Sequence, residues 1–219
     1  MSPQQQPKLL LIRPMITNDD FTNNFSYPAS DLATTASNEG WHVTELAINN
    51  ANRNRVGIEI GAANADFIIH YGHGMRDKIF GQGYPNVAIL ECNNATENVN
   101  SLSSSVVSTV SCSSAAGLGD AFTVANKNGG FLGHNAPYGC EYAYWEYFKR
   151  ASNAANIALL EGKKFSDAKE AGYQAYTDEI NDVLNLPILA NPAKYVAAVL
   201  LWIDRETLTI KGKGSATAK

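Results

Sequence analysis

Two residues in this chain have side chains whose types, together, allow covalent chemistry. One is a histidine held between glycines, in "DFIIHYGHG" at 66–74; the other is a cysteine ending "SVVSTVSC" at 105–112. His73 stands where an apolar run stops, and the flanking glycines permit backbone turns that other residues resist. Cys112 closes a run rich in β-branched residues, the composition of a buried strand. An imidazole close to a thiol favours the thiolate, lowering a pKa that is about 8.5 for free cysteine. The thiolate is the attacking species, and the histidine can afterwards protonate a leaving amine. The main-chain N–H groups of Gly74 and Cys112 are the candidates to receive a developing oxyanion, since glycine beside the histidine lets a carbonyl approach closely.

For these side chains to meet, the runs that carry them must be neighbouring strands. "KLLLIRP" at 8–14 reads as a buried first strand stopped by Pro14, followed by a loop through residue 29. Ser30 is placed to cap a helix to Glu39, ended by Gly40. "WHVTELA" at 41–47 alternates as a second strand, and Val56, Ile60 and Ala63 keep helical spacing before the third, at 66–71. Residues 75–104 give no clear pattern. The strand ending in Cys112 comes next, then a helix marked by Leu118, Ala121, Phe122 and Ala125, then "FLGHN" from Phe131. Beyond it the chain turns helical: one stripe from Tyr144 to Ala155, a helix from Ser166, and a third capped by Asn191 and Pro192. Strands alternating with helices imply a parallel sheet covered on both faces, wound in both directions by right-handed crossovers. In such a sheet ligands bind at the carboxyl ends of the strands, where His73 and Cys112 both fall. A single domain over 1–219 is expected, with 1–7 and 212–219 as flexible ends.

Composition narrows the function. The net charge is -4 with no basic run, which argues against a nucleic-acid partner. The longest apolar run, "YVAAVLLWI" at 195–203, is too short to span a bilayer, and the N-terminus is not a secretory signal. Cys92, Cys112 and Cys140 make an odd, low count, the pattern of free thiols in a reducing, cytoplasmic setting. No cysteine pair has metal-ligand spacing, and no cofactor is called for.

"HYGHG" resembles the histidine block of the caspase-like (clan CD) cysteine peptidases, which include caspases, metacaspases, clostripain, gingipains and CHAT domains. "VVSTVSCSSAAG" resembles the block that carries their nucleophile, and the order, histidine then cysteine one crossover later, is the clan's. More weakly, "NGGFLGHNAPYG" and "LLWIDRETLTIKG" are similar to the following strand and the closing segment of gingipain-type domains. The resemblance implies a caspase-like three-layer αβα sandwich around a mostly parallel, doubly wound sheet. It implies a cysteine endopeptidase acting on peptide or protein substrates, with His73 as general acid/base, Cys112 as nucleophile and Gly74 in the oxyanion hole. Two positions depart from the pattern. Metacaspases and clostripain-like enzymes carry an acid two residues before the cysteine, where this chain has Val110, and Ser113 replaces the histidine common after it. A preference for Arg or Lys is therefore not inherited through that block. The loop after the first strand reaches the same edge, and its Asp19 and Asp20 are candidates to receive a basic side chain, as Arg13 would suit an acidic one. The competing reading is a caspase-like binding or regulatory module. A glutamine amidotransferase fits poorly, because its Gly-x-Cys-x-Gly elbow precedes the histidine, and a flavodoxin-like nucleotide site lacks its phosphate loop.

Overall fold

The computed structural model describes residues 6–63, 65–92, 98–102, 106–187 and 192–219. Strands β1 (Lys8–Arg13), β2 (His42–Ala47), β3 (Phe67–Tyr71), β7 (Val106–Val110) and β8 (Gly130–His134) pair in parallel. Strand β9 (Leu208–Gly212) adds antiparallel to β8, so the six-stranded sheet runs β2-β1-β3-β7-β8-β9.

Alternation along the strands builds a layer on each face. Leu9, Leu11, Phe67, Ile69 and Tyr71 pack with α1 (Asp20–Asn38), α4 (Trp145–Leu160), α5 (Phe165–Asn185) and α6 (Ala193–Thr207). Their neighbours Leu10, Ile12, Ile68 and Val107 pack instead with α2 (Arg53–Ala63) and α3 (Leu118–Ala125). A strand buried on both sides reads as a continuous apolar run, which is why β1 and β3 were legible. The architecture is the expected α/β sandwich around a mostly parallel sheet.

Three expectations are corrected. Helix α1 begins at Asp20, ten residues ahead of Ser30, because Asp19 caps it by accepting the Phe21 N–H. The unpatterned stretch after His73 holds a small antiparallel sheet of β4 (Gly74–Met75), β5 (Lys78–Phe80) and β6 (Ala88–Glu91). Its strands are too short to show periodicity. The C-terminal segment from 212 is not a loose end: Thr217 bridges Lys164, Phe165 N–H donates to Ala216 O, and Ala218 is buried. Lys219 reaches Glu39 O at 3.0 Å and lies over the Trp41 ring. Residues 1–5, 103–105 and Asn191 lie outside the described residues, and with them the expected cap at Asn191 and part of the expected loose N-terminal end.

Candidate active site

Strands β3 and β7 lie side by side in register, Tyr71 opposite Val110, and Gly72 N–H donates to Val110 O at 3.2 Å. His73 and Cys112 each follow two residues beyond that last pair, so the two runs carry them to the same end of the sheet. Past the strand ends the main chains stay in contact. A Cβ on Gly74 would stand 2.7 Å from Ser111 Oγ and 2.8 Å from Cys112 O. Only glycine allows this approach, the physical reason for the residue after His73.

Cys112 sits on a sharp turn. Ser113 adopts φ +53°, in the left-handed region that non-glycine residues seldom enter. Its N–H donates to Ala136 O at 2.9 Å, and the Cys112 thiol donates to Tyr138 O at 3.7 Å. The loop after β8 therefore forms one wall around the sulfur. Among the described residues the Cys112 N–H donates to no other residue; it faces its own sulfur. Burial pushes the Cys112 thiol above its ordinary value.

His73 is held on several sides. Nε2 lies 2.5 Å from Asp19 Oδ2, and since a carboxylate only accepts, Nε2 carries the hydrogen. Tyr84 stacks on the ring at 3.9 Å between centroids, 18° from parallel, and Phe21 packs at 5.4 Å. Phe21 also meets Tyr138, 6.0 Å away, so one aromatic ring links the histidine's surroundings to the wall of the cysteine. Asp19 is fixed in turn, accepting from Phe21 N–H and from Thr22 Oγ1 at 3.1 Å each.

The small sheet after His73 is tied down from below. Buried His70 donates from Nε2 to Phe80 O at 2.8 Å, leaving Nδ1 to accept from Thr109 Oγ1 at 2.9 Å. Thr109 then accepts from Ser111 Oγ at 2.8 Å. A chain of hydrogen bonds thus runs from the residue before Cys112 to the hairpin after His73.

Of the residues singled out in the sequence, His73, Gly74, Cys112 and Asp19 lie around one end of the β3–β7 pair. Asp20 is exposed in the first turn of α1, and Arg13 is ion-paired to Glu45 across β1–β2. The contact between Asp19 and His73 was not foreseen. Its signal was the cap: an acid three residues before Thr22, which a helix start at Asp20 would have exposed. Tyr84 and Phe21 carried no signal, because their partner is 11 residues away in one case and 52 in the other. Among the described residues, no three His, Cys, Asp or Glu side chains gather to hold a metal ion, and no helix is long and apolar enough to cross a membrane.

Neither a protein-family model nor a curated protein matches the sequence. The fold does match solved structures. Gingipain R, an Arg-specific cysteine proteinase, superposes with a TM-score of 0.60 at 14% sequence identity, over 97% of this chain and 47% of that one. This chain spans about half the length of that protein, and the likeness is one of fold.

Proposed function

We propose that this chain is a cysteine peptidase that cleaves a peptide bond through an acyl-enzyme on Cys112, with His73 as general base and then general acid. The observation that carries the reading is the pairing of the two strands that end in these residues. Asp19 accepts the Nε2–H hydrogen bond of His73, which leaves Nδ1 as the nitrogen that receives the Cys112 proton. The sulfur then attacks the scissile carbonyl carbon, and the Cys112 and Gly74 amides stabilise the oxyanion. The imidazolium returns its proton to the departing amine. Water, deprotonated by the same nitrogen, attacks the thioester and releases the acid. The stacked Tyr84 ring holds the plane of the imidazole. No cofactor enters any step.

Asp19 is engaged by the imidazole, so an incoming basic side chain would meet Asp20, whose carboxylate stands exposed nearby. The Arg specificity of gingipain R makes that the first preference to test. A non-catalytic binding role is the second reading, favoured by the raised Cys112 thiol.

A fluorogenic peptide panel with basic, acidic or neutral residues before the bond separates them. The wild type is expected to hydrolyse one class, Cys112→Ala none, and His73→Ala at a rate lower by roughly 10²–10⁴-fold. Equal, background turnover by all three proteins would leave the binding role standing.

A further inference from the structure

The wall that meets Cys112 is held from inside the protein by one carboxyl group of α6. Asp204 is fully buried, and its Oδ1 accepts the Gly139 N–H at 3.0 Å. Its Oδ2 has no hydrogen-bond partner among the described residues. The loop it holds carries both acceptors at the cysteine: Tyr138 O on the thiol and Ala136 O on Ser113 N–H. The start of that loop is tied to the same turn of helix, Asn135 N–H donating to Thr207 O at 3.0 Å. Thr207 Oγ1 donates back to Asp204 O at 3.2 Å and lies 3.2 Å from His134 Nδ1.

The other ionisable groups near Asp204 are His134 on β8, Tyr138 and Cys140 on the loop, Tyr176 on α5, and Cys112 itself. No Lys or Arg is among them. An ionised carboxylate left with one N–H donor in such surroundings is costly, so the group stays neutral. Burial accordingly pushes the Asp204 carboxyl well above the usual range. A neutral carboxyl keeps the acceptor that Gly139 needs while withholding a negative charge that would oppose the thiolate.

We propose that Asp204 is a positioning residue for Cys112, clamping Gly139 so that the 136–140 loop sets its carbonyl groups against the sulfur and the Ser113 amide. The consequence for turnover rests on Cys112 being the nucleophile; the clamp itself acts on the thiol whether or not the chain cleaves peptides. Three readouts test it: the iodoacetamide alkylation rate of Cys112, read peptide by peptide against pH; hydrogen exchange at the Gly139 amide; and kcat and KM on the best peptide. Asp204→Asn retains an acceptor for Gly139 without a charge. It is expected to keep alkylation and kcat within about threefold of wild type at neutral pH. Asp204→Ala removes the acceptor and is expected to change Cys112 alkylation by about fivefold or more. It should lower kcat on the order of tenfold with little change in KM. In wild type and Asp204→Asn the Gly139 amide should exchange at least about 10²-fold more slowly than exposed loop amides.

Equal damage from the Asn and Ala variants would overturn the proposal, as would alkylation in a folded Asp204→Ala protein that matches wild type. Should the Ala variant not fold, the wild-type Gly139 amide decides: exchange at the rate of an exposed loop sinks the clamp. Absence of peptide hydrolysis in wild type would remove the peptidase reading alone, because alkylation and exchange still report on the loop.

Discussion

Asp19 has two duties. One carboxylate caps α1 through the Phe21 N–H and holds His73 through Nε2. The duties can be separated, because asparagine caps a helix about as well as aspartate. Asp19→Asn is therefore expected to leave the melting temperature within about 2 °C of wild type. Turnover should fall by roughly 10- to 100-fold, with KM little changed, since the imidazolium loses the charge that steadies it. Kinetics on the best peptide, beside a thermal melt, check both halves. A loss of stability without a loss of rate would make Asp19 a cap only.

The site depends on how three elements meet. Strand β3 is fastened to α4 by buried polar contacts: Tyr71 OH donates to Asn153 Oδ1 at 2.5 Å and accepts from Asn156 Nδ2 at 2.9 Å. Tyr71→Phe removes one hydrogen bond from each asparagine inside the core, a loss of about 1–3 kcal/mol. Urea unfolding should show it as a lower midpoint at unchanged slope. Strand β4 meets the turn after β7 at Gly74. In Gly74→Ala the new methyl would lie 2.7 Å from Ser111 Oγ and 2.8 Å from the Cys112 carbonyl. Relief requires the Cys112 main chain to move, so the expected cost is about 1–3 kcal/mol of stability. Hydrolysis should be lost more completely than fold, which circular dichroism and the peptide assay would show together.

At the scale of the whole molecule, three buried ionisable groups shape the response to pH. Burial chiefly pushes His70 down to about 4 and His134 to about 3, and raises Asp204 well above its ordinary 3.8. The folded histidines stay neutral where unfolded ones, near 6.5, take up a proton. Their contribution is present above pH 6.5 and is lost as pH falls towards 4 and 3. Asp204 acts in the opposite sense: it stays protonated when folded, so its contribution is full below 3.8 and declines as pH rises. Two histidines against one acid leave a net gain as pH rises from about 4 to 6.5, and above that range only the loss from Asp204 remains. From these groups the melting temperature should peak near pH 6.5, and Asp204→Asn should flatten the alkaline side. A wild-type profile that climbs steadily from pH 6.5 to 8 would contradict the burial of a neutral Asp204.

The sequence alone determined where the five parallel strands of the large sheet run and which residues end them. β1, β3, β7 and β8 are short apolar runs closed by glycine, proline or a small polar residue, and burial on both faces leaves that signature in any order of packing. Because parallel strands that are wound in sequence bring their carboxyl ends together, the placing of His73 and Cys112 at one end of the sheet was legible from their positions alone. Gly74 was legible too, since close approach of backbone to backbone demands glycine. The tertiary structure decided what surrounds the pair. Asp19 reaches His73 only because α1 starts ten residues early, and Tyr84 stacks there only because the small sheet folds back across the strand ends. Asp204 stands between Ile203 and Arg205, and no local pattern marks it as buried. Its burial beneath the cysteine's wall comes from α6 packing on α5 with its last turn tied to His134 and Asn135 at the end of β8. Periodicity reports which side of an element is buried, whereas a contact between distant side chains is set by how elements cross, and no local pattern records that.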